Sequence, residues 1–389
     1  MMRICSKAWL VFLFPPLLFT ATAAAGQEKE PILIGATVSL KGKYEEPSSM
    51  IGSAFNLWEK QVNERGGLLG RRVRLILYDD KSREELVQTY YEKLIREDKV
   101  DFVLSPCSTP LTLVASRITE SHKLVMLACG ASSEGIWERG YRYIFGVFAP
   151  ANRYLVGLLD LMARHGFESI GILYEGTPFH MDVAEGVVSW AKRFGLRVVA
   201  DKGFKVAKTE LRPLLKEVMD LEPHGLILSV YPPDAYDTLH FMKKASYRPR
   251  VLAIPIAPTH PDFCKRAGSM CEGIFCPSQW EPDERIPFPG TKNFVTDFRA
   301  FAKRLPSSYA GAAYAACQIM ERAVIKTQSL DQERIRDYIL SLDSATIIGR
   351  FKVDENGKQI GHNPLLIQWQ DGKKEVVYPT KVQTAPARF

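Results

Sequence analysis

The chain has 389 residues, more than one hydrophobic core usually serves, so two domains of ordinary size are the first expectation. A composition of 46% hydrophobic and 24% charged residues is that of a soluble globular protein. The net charge of +7 is spread among acids and lacks the concentrated basic stripe that nucleic-acid binding requires.

At the amino end, Arg3 and Lys7 precede an apolar run from Ala8 to Phe19, and small residues follow from Ala21 to Gly26. This three-part pattern predicts a cleaved secretory signal peptide over residues 1–25. Pro15, Pro16 and the shortness of the run argue against a membrane span. No cysteine follows the run, so no lipid anchor is indicated, and no later segment has the length and apolarity of a span. The mature chain is therefore expected to be soluble and exported. Export allows disulfides among the remaining cysteines Cys107, Cys129, Cys264, Cys271, Cys276 and Cys317. Cys264 and Cys271 flank a surface turn and are the favoured pair; Cys107 and Cys129, ending consecutive strands, are another option. Zinc is not predicted, because there is no close Cys-x-x-Cys pair and the histidines do not cluster.

From Pro31 onward short apolar runs alternate with amphipathic segments. ILIGATVSL reads as a strand, KGKYEEPSS as a polar loop and MIGSAFNLWEKQVNERG as a helix stopped at Gly66 and Gly67. VRLILYDD is the next strand, followed by a helix from about Ser82 to Ile95. DFVLSPCSTPLTLVAS then reads as strand, tight polar loop and helix. Ser108 or Thr109 could cap that helix, or its free N–H groups could meet an anion such as a carboxylate. KLVMLACGASS supplies a fourth strand and a second loop of small residues. A second round starts near Arg153, with strands SIGILYEG, RVVADKGF, HGLILSVY and VLAIPIA separated by helices. The fold class is therefore α/β, with two similar lobes, each a parallel sheet flanked by helices. Residues 275–286 read as a crossing between lobes, three further helices follow, and the tail from Arg350 reads as a hairpin turning at Asp371 and Gly372.

Enzyme signatures are lacking. There is no G-x-S-x-G elbow for a hydrolase, and no spacing joins Ser108 to a His and an Asp. No G-x-G-x-x-G or Walker loop appears, so no cofactor is predicted.

The segment from Ile32 to Ser82, with VNERGGLLGRRV and YDDKS, resembles periplasmic solute-binding proteins of the branched-chain amino-acid type. The likeness continues through DFVLSPCST, LACGASS, ILYEGTPFHMDVAEG, SVYPPDAYDT and RAGSMCEGI. It implies a type 1 periplasmic binding fold whose lobes are joined by three crossing segments. The lobes then comprise residues 31–148 with 278–348, and 149–277 with 349–389. It also implies a periplasmic, monomeric receptor delivering a small solute to the membrane permease of an ATP-binding-cassette transporter. A sensory receptor for a signalling partner is the alternative use of the same module.

By resemblance, the solute carboxylate is held by Ser108 with Thr109 and by Gly130, Ala131 and Ser132. Phe179 and Tyr231 face it from the other lobe, and Tyr44 reaches the cleft from the first loop. Amino-acid receptors of this type place an acid after the strand VLAIP to pair with the solute's ammonium, and here that position is Ile256. Unless Asp234 compensates from the neighbouring loop, a buried ammonium would lack a counter-charge, which favours a carboxylate without one. Among the remaining candidates, Trp280 is read as packing, Glu45 and Glu46 as solvated, Asp79 and Asp80 as structural, and His180 as loop surface.

Overall fold

The computed structural model describes residues 29–205, 210–286 and 288–389; the leader predicted at 1–25 lies outside them. The first lobe opens with β1 (Ile32–Val38), α1 (Glu45–Glu64), β2 (Val73–Asp79), α2 (Glu84–Arg96) and β3 (Phe102–Leu104). It continues with α3 (Thr109–Ser121), β4 (Met126–Ala128) and β5 (Ile144–Gly146). All five strands are parallel in the order β2-β1-β3-β4-β5. The strand order reverses between β1 and β3, so helices cover both faces and a crevice forms beyond the carboxyl ends of those two strands. β1 is buried on both faces, and Gly35 within it admits α2. A Cβ there would stand 2.8 Å from Leu94. β5 was not foreseen, since IFG is too short to show a period.

The second lobe repeats the plan with α4 (Val156–Arg164), β6 (Ser169–Glu175), α5 (Pro178–Phe194), β7 (Arg197–Phe204) and α6 (Leu211–Asp220). Then come β8 (Gly225–Ser229), α7 (Pro232–Lys244), β9 (Val251–Ala253), α8 (Phe263–Ala267) and β10 (Phe275–Ser278). β6 to β10 are parallel, and the order reverses between β6 and β8. The predicted disulfide Cys264–Cys271 is present and ties α8 to the turn after it. Cys107 and Cys129 are instead buried free thiols. Cys129 directs its sulfur to Ser105 Oγ, 3.8 Å away, and both cysteines pack as small apolar residues of the core.

The chain then returns to the first lobe as α9 (Thr291–Ala302), α10 (Ser308–Thr327), α11 (Gln332–Ser341), β11 (Ser344–Thr346) and β12 (Gly349–Phe351). α10 buries Ala312, Ala313, Ala315 and Ala316, small enough to let it lie close against α1, and Trp58 Nε1 donates to Glu321 at 2.8 Å. Trp280 is fully buried against Phe294, as its packing assignment expects. β13 (Leu365–Gln370) and β14 (Lys373–Tyr378) add an antiparallel edge to the second sheet. Their turn has positive φ at both Asp371 (53°) and Gly372 (72°), the geometry a two-residue hairpin needs.

The third crossing comes later than the predicted boundary after residue 348. β12 pairs with β11, Phe351 and Val353 join the first-lobe core, and Gly146 donates its N–H to the Gly357 carbonyl at 2.8 Å. Backbone pairing and core burial therefore keep this stretch on the first lobe, and RFKVDENGKQ is not part of the terminal hairpin.

Candidate ligand-binding site

The ends of β1 and β3 face the ends of β6 and β8, and the loops beyond these and the neighbouring strands, with α10, wall a narrow chamber. It is lined by Pro47, Cys107, Ser108, Thr109, Gly130, Ser132, Phe148, Tyr154, Phe179, Tyr231, Ile256 and Tyr309. The walls nearly meet, leaving a cavity of only about 10 Å³, room for roughly one water molecule. Seven of the predicted residues thus come together. Ala131 is buried but does not line the chamber, and Tyr44 stands behind Tyr231. Asp234, in the first turn of α7, does not line it either. Pro47, Cys107, Phe148, Tyr154 and Tyr309 were not predicted as site residues, because in sequence they are indistinguishable from buried packing positions.

The first-lobe wall sets a small polar patch beside Pro47, Phe148 and Tyr309. Ser108 has φ 146° and ψ 172°, a region that residues other than glycine enter at a cost of about 1–3 kcal/mol. It holds the N-cap position of α3, yet its side chain makes no capping hydrogen bond. Ser108 Oγ and Thr109 Oγ1 are both buried, and among the described residues neither has a hydrogen-bond partner of ordinary geometry; the Tyr44 phenol stands beside Ser108. The orphan N–H groups and positive dipole end of α3 open at the same place. Gly130 is required by close approach: a Cβ there would stand 3.1 Å from both Cys107 Cα and the Pro106 carbonyl.

The second-lobe wall is aromatic. Edge-to-face contacts run from Tyr44 to Tyr231 (4.8 Å between centroids), to His180 (4.6 Å), to Phe179 (4.9 Å) and to Tyr154 (5.3 Å). Such pairs contribute about 0.5–1.5 kcal/mol each beyond their area. His180 is therefore not loop surface. α5 starts at Pro178, which puts His180 in its first turn, fully buried, with Nδ1 2.8 Å from Ser229 Oγ. Burial, with Lys43 nearby, holds its pKa well below the usual histidine value, so the ring is neutral.

Charged groups join the walls. Lys43 in the first loop pairs with Glu175 at the end of β6 at 2.8 Å, and its ammonium lies 4.8 Å from the Tyr231 centroid and 5.2 Å from that of Tyr44. Burial opposes charge on Lys43, but Tyr44 and Glu175 outweigh it and its pKa is raised. Burial also raises the pKa of Glu175 despite Lys43. Neither residue was foreseen as part of the site. Glu46 is not solvated, because α1 begins at Glu45 rather than at Met50 and carries it into the interface. There it pairs with Arg266 and accepts from the Tyr236 hydroxyl at 3.2 Å, and burial pushes its carboxyl up to about 7. A third clasp joins Asp182 to the Ser133 hydroxyl and to the Glu134 N–H at 2.8 Å. Asp80 is structural, as predicted, fully buried and accepting from Thr37 Oγ1 at 2.6 Å.

A larger open groove of about 1300 Å³ runs along Asn56, Asn63 and Arg72. It adjoins the amino end of β2, away from the crevice where this topology places ligands. Among the described residues no helix is long and apolar enough to cross a membrane, and no His, Cys, Asp and Glu side chains group as metal ligands.

A protein-family model described as periplasmic binding protein matches residues 31–374. The leucine-, isoleucine-, valine-, threonine-, and alanine-binding protein of Pseudomonas aeruginosa is 21% identical over 360 residues, covering 90% of this chain and 95% of that one. Among solved structures, a leucine binding protein from Thermotoga maritima superimposes with a TM-score of 0.80 at 16% identity, covering 89% of this chain and 97% of its own. An ABC transporter solute binding protein from R. palustris, in complex with benzoate, gives a TM-score of 0.78 at 18% identity, covering 92% and 97%. With the family model spanning most of its length and both switch-point crevices opposed across one cleft, the chain belongs to the periplasmic binding protein family.

Proposed function

We propose that this chain is the exported, monomeric solute-binding component of an ATP-binding-cassette importer, closing its two lobes on a small organic carboxylate for delivery to a membrane permease. Its lobes divide as residues 31–148 with 278–361, and 149–277 with 362–389. The observation that carries the reading is the pair of buried hydroxyls of Ser108 and Thr109 at the amino end of α3, which among the described residues make no hydrogen bond of ordinary geometry. A carboxylate accepts hydrogen bonds from both and sits at the positive end of the helix dipole. Gly130 and Ser132 let it approach the backbone. Opposite, Phe179, Tyr231, Tyr154 and Ile256 offer apolar surface, and no lining residue is acidic. The solute body that matches this wall is aromatic or branched and apolar, without an ammonium. Because the closed walls leave little room, a solute enters when the lobes part. Contacts to both lobes form on closure, and that difference shifts the population towards the closed state.

The test is a thermal-shift and calorimetric screen of benzoate and 4-methylpentanoate against leucine, valine and alanine. A matching acid at 100 times its Kd should stabilise the fold by about 2.7 kcal/mol, with much smaller shifts from the amino acids. Stabilisation by leucine or valine alone would contradict the part assigned to Ile256, and no response to any acid would remove the reading.

A further inference from the structure

A carboxylate does stand behind the aromatic wall, although none lines the chamber. Glu175 ends β6 with 1% of its surface exposed, close enough to Tyr44 and Tyr231 to act on both phenols electrostatically. One of its oxygens, Oε2, is buried without a hydrogen-bond partner among the described residues. An acid so placed is what the ammonium of an amino acid would seek on closing. The other oxygen is already held: Lys43 reaches across from the first lobe to Oε1 at 2.8 Å, resting on the faces of Tyr231 and Tyr44. The protein thus supplies its own ammonium to this acid and these two rings. An incoming ammonium would meet a carboxylate already paired with a like charge, with Asp234 the further acid near enough to act on Glu175.

We propose that Lys43 is a specificity-determining residue which, by occupying Glu175 as the lobes close, directs the cleft towards carboxylates that lack an α-ammonium. Lys43 and Glu175 come from opposite lobes, so the discrimination acts at closure, after the solute's carboxylate has met Ser108. The proposal rests on the carboxylate reading of the chamber and deepens it.

The experiment measures Kd for two matched pairs, 4-methylpentanoate with leucine and 3-phenylpropanoate with phenylalanine, in the wild type, Lys43→Met, Lys43→Gln and Lys43→Met/Glu175→Gln. Wild type should prefer the ammonium-free member by more than about tenfold, the scale of one charged contact. Both single variants should shrink that ratio by about tenfold, because Glu175 is released to an incoming ammonium. The double variant should restore the preference, since the acid is gone. The second single variant keeps a polar side chain and guards against a folding defect in the first. Binding of the acids with the ratio unmoved in both single variants would overturn the proposal alone. Failure of wild type to bind any carboxylate would overturn the reading of the chamber, and the proposal with it.

Discussion

The two walls of the chamber differ in where their small polar groups lie. On the first lobe, contact is made by backbone and small groups, a strained Ser108, Thr109, Gly130 and Ser132 held by the loops that end β3 and β4, with Pro47, Phe148 and Tyr309 beside them. On the second, it is made by rings that hold one another edge to face. A wall of fixed donors suits a group of invariant shape, such as a carboxylate, whereas packed rings suit a body that can vary among related solutes. Substitutions on the first wall should therefore change affinity for all solutes alike, and those on the second should change preference among them.

The largest effect expected is from Tyr231→Ala, which removes the ring that meets Tyr44, His180 and Lys43. It should lower unfolding free energy by about 3 kcal/mol in denaturant titration and reorder affinities among acids of different bodies. Equal losses for benzoate and 4-methylpentanoate would break the contrast between the walls. Next is the clasp between them at Glu46. A carboxyl whose pKa is raised by folding holds its proton more tightly in the folded state. Its stabilising contribution is full below about 4.5 and declines as pH rises to about 7. Glu46→Gln should therefore remove a pH-dependent loss of up to about 3 kcal/mol across that window, read as a flatter profile of thermal midpoint against pH than wild type shows. Glu175 and Asp182, also raised by burial, would leave a residual slope of the same sign. The smallest effect is from Ser108→Gly, which relieves the backbone but deletes the hydroxyl. Stability should rise by about 1 kcal/mol while affinity for every carboxylate falls by about tenfold, a split that a merely structural serine would not give.

The small polar patch of the first wall was legible in sequence because its parts are local, whereas Pro47, Phe148 and Tyr309 beside it were not. DFVLSPCST and LACGASS each carry strand, small residues and hydroxyls within one short stretch, and two such loops at strand ends imply a site. The alternation of strands and helices similarly predicts two parallel sheets, and Asp371–Gly372 predicts the final hairpin. The second wall was only partly legible. Phe179 and Tyr231 were placed, but His180 was given to the surface because the start of α5 at Pro178 fixes its direction, and no periodicity shows in so short a lead-in. The Lys43–Glu175 pair joins residues 132 positions apart, one in a polar loop and the other at the end of an apolar strand. Neither carries a local mark of the other, since the contact is made only across the cleft. Glu46 failed for a related reason: Pro47 after two acids reads as loop, whereas proline is equally at home in a helix's first turn.

The three crossings also bear on how the protein is made. The parallel core strands of the second lobe occupy one continuous stretch, from Ser169 to Ser278, and can pair as soon as that stretch is available. The strands of the first lobe are equally contiguous, from Ile32 to Gly146, but its helical cover is not. Its opening helix α1 buries Phe55, Leu57 and Trp58, and the partner that covers it, α10, starts only at Ser308. A chain emerging from its amino end therefore carries an uncovered apolar helix while the parallel strands of the second lobe, β6 to β10, are synthesised. During that interval the apolar face of α1 is the part of the first lobe most exposed to aggregation.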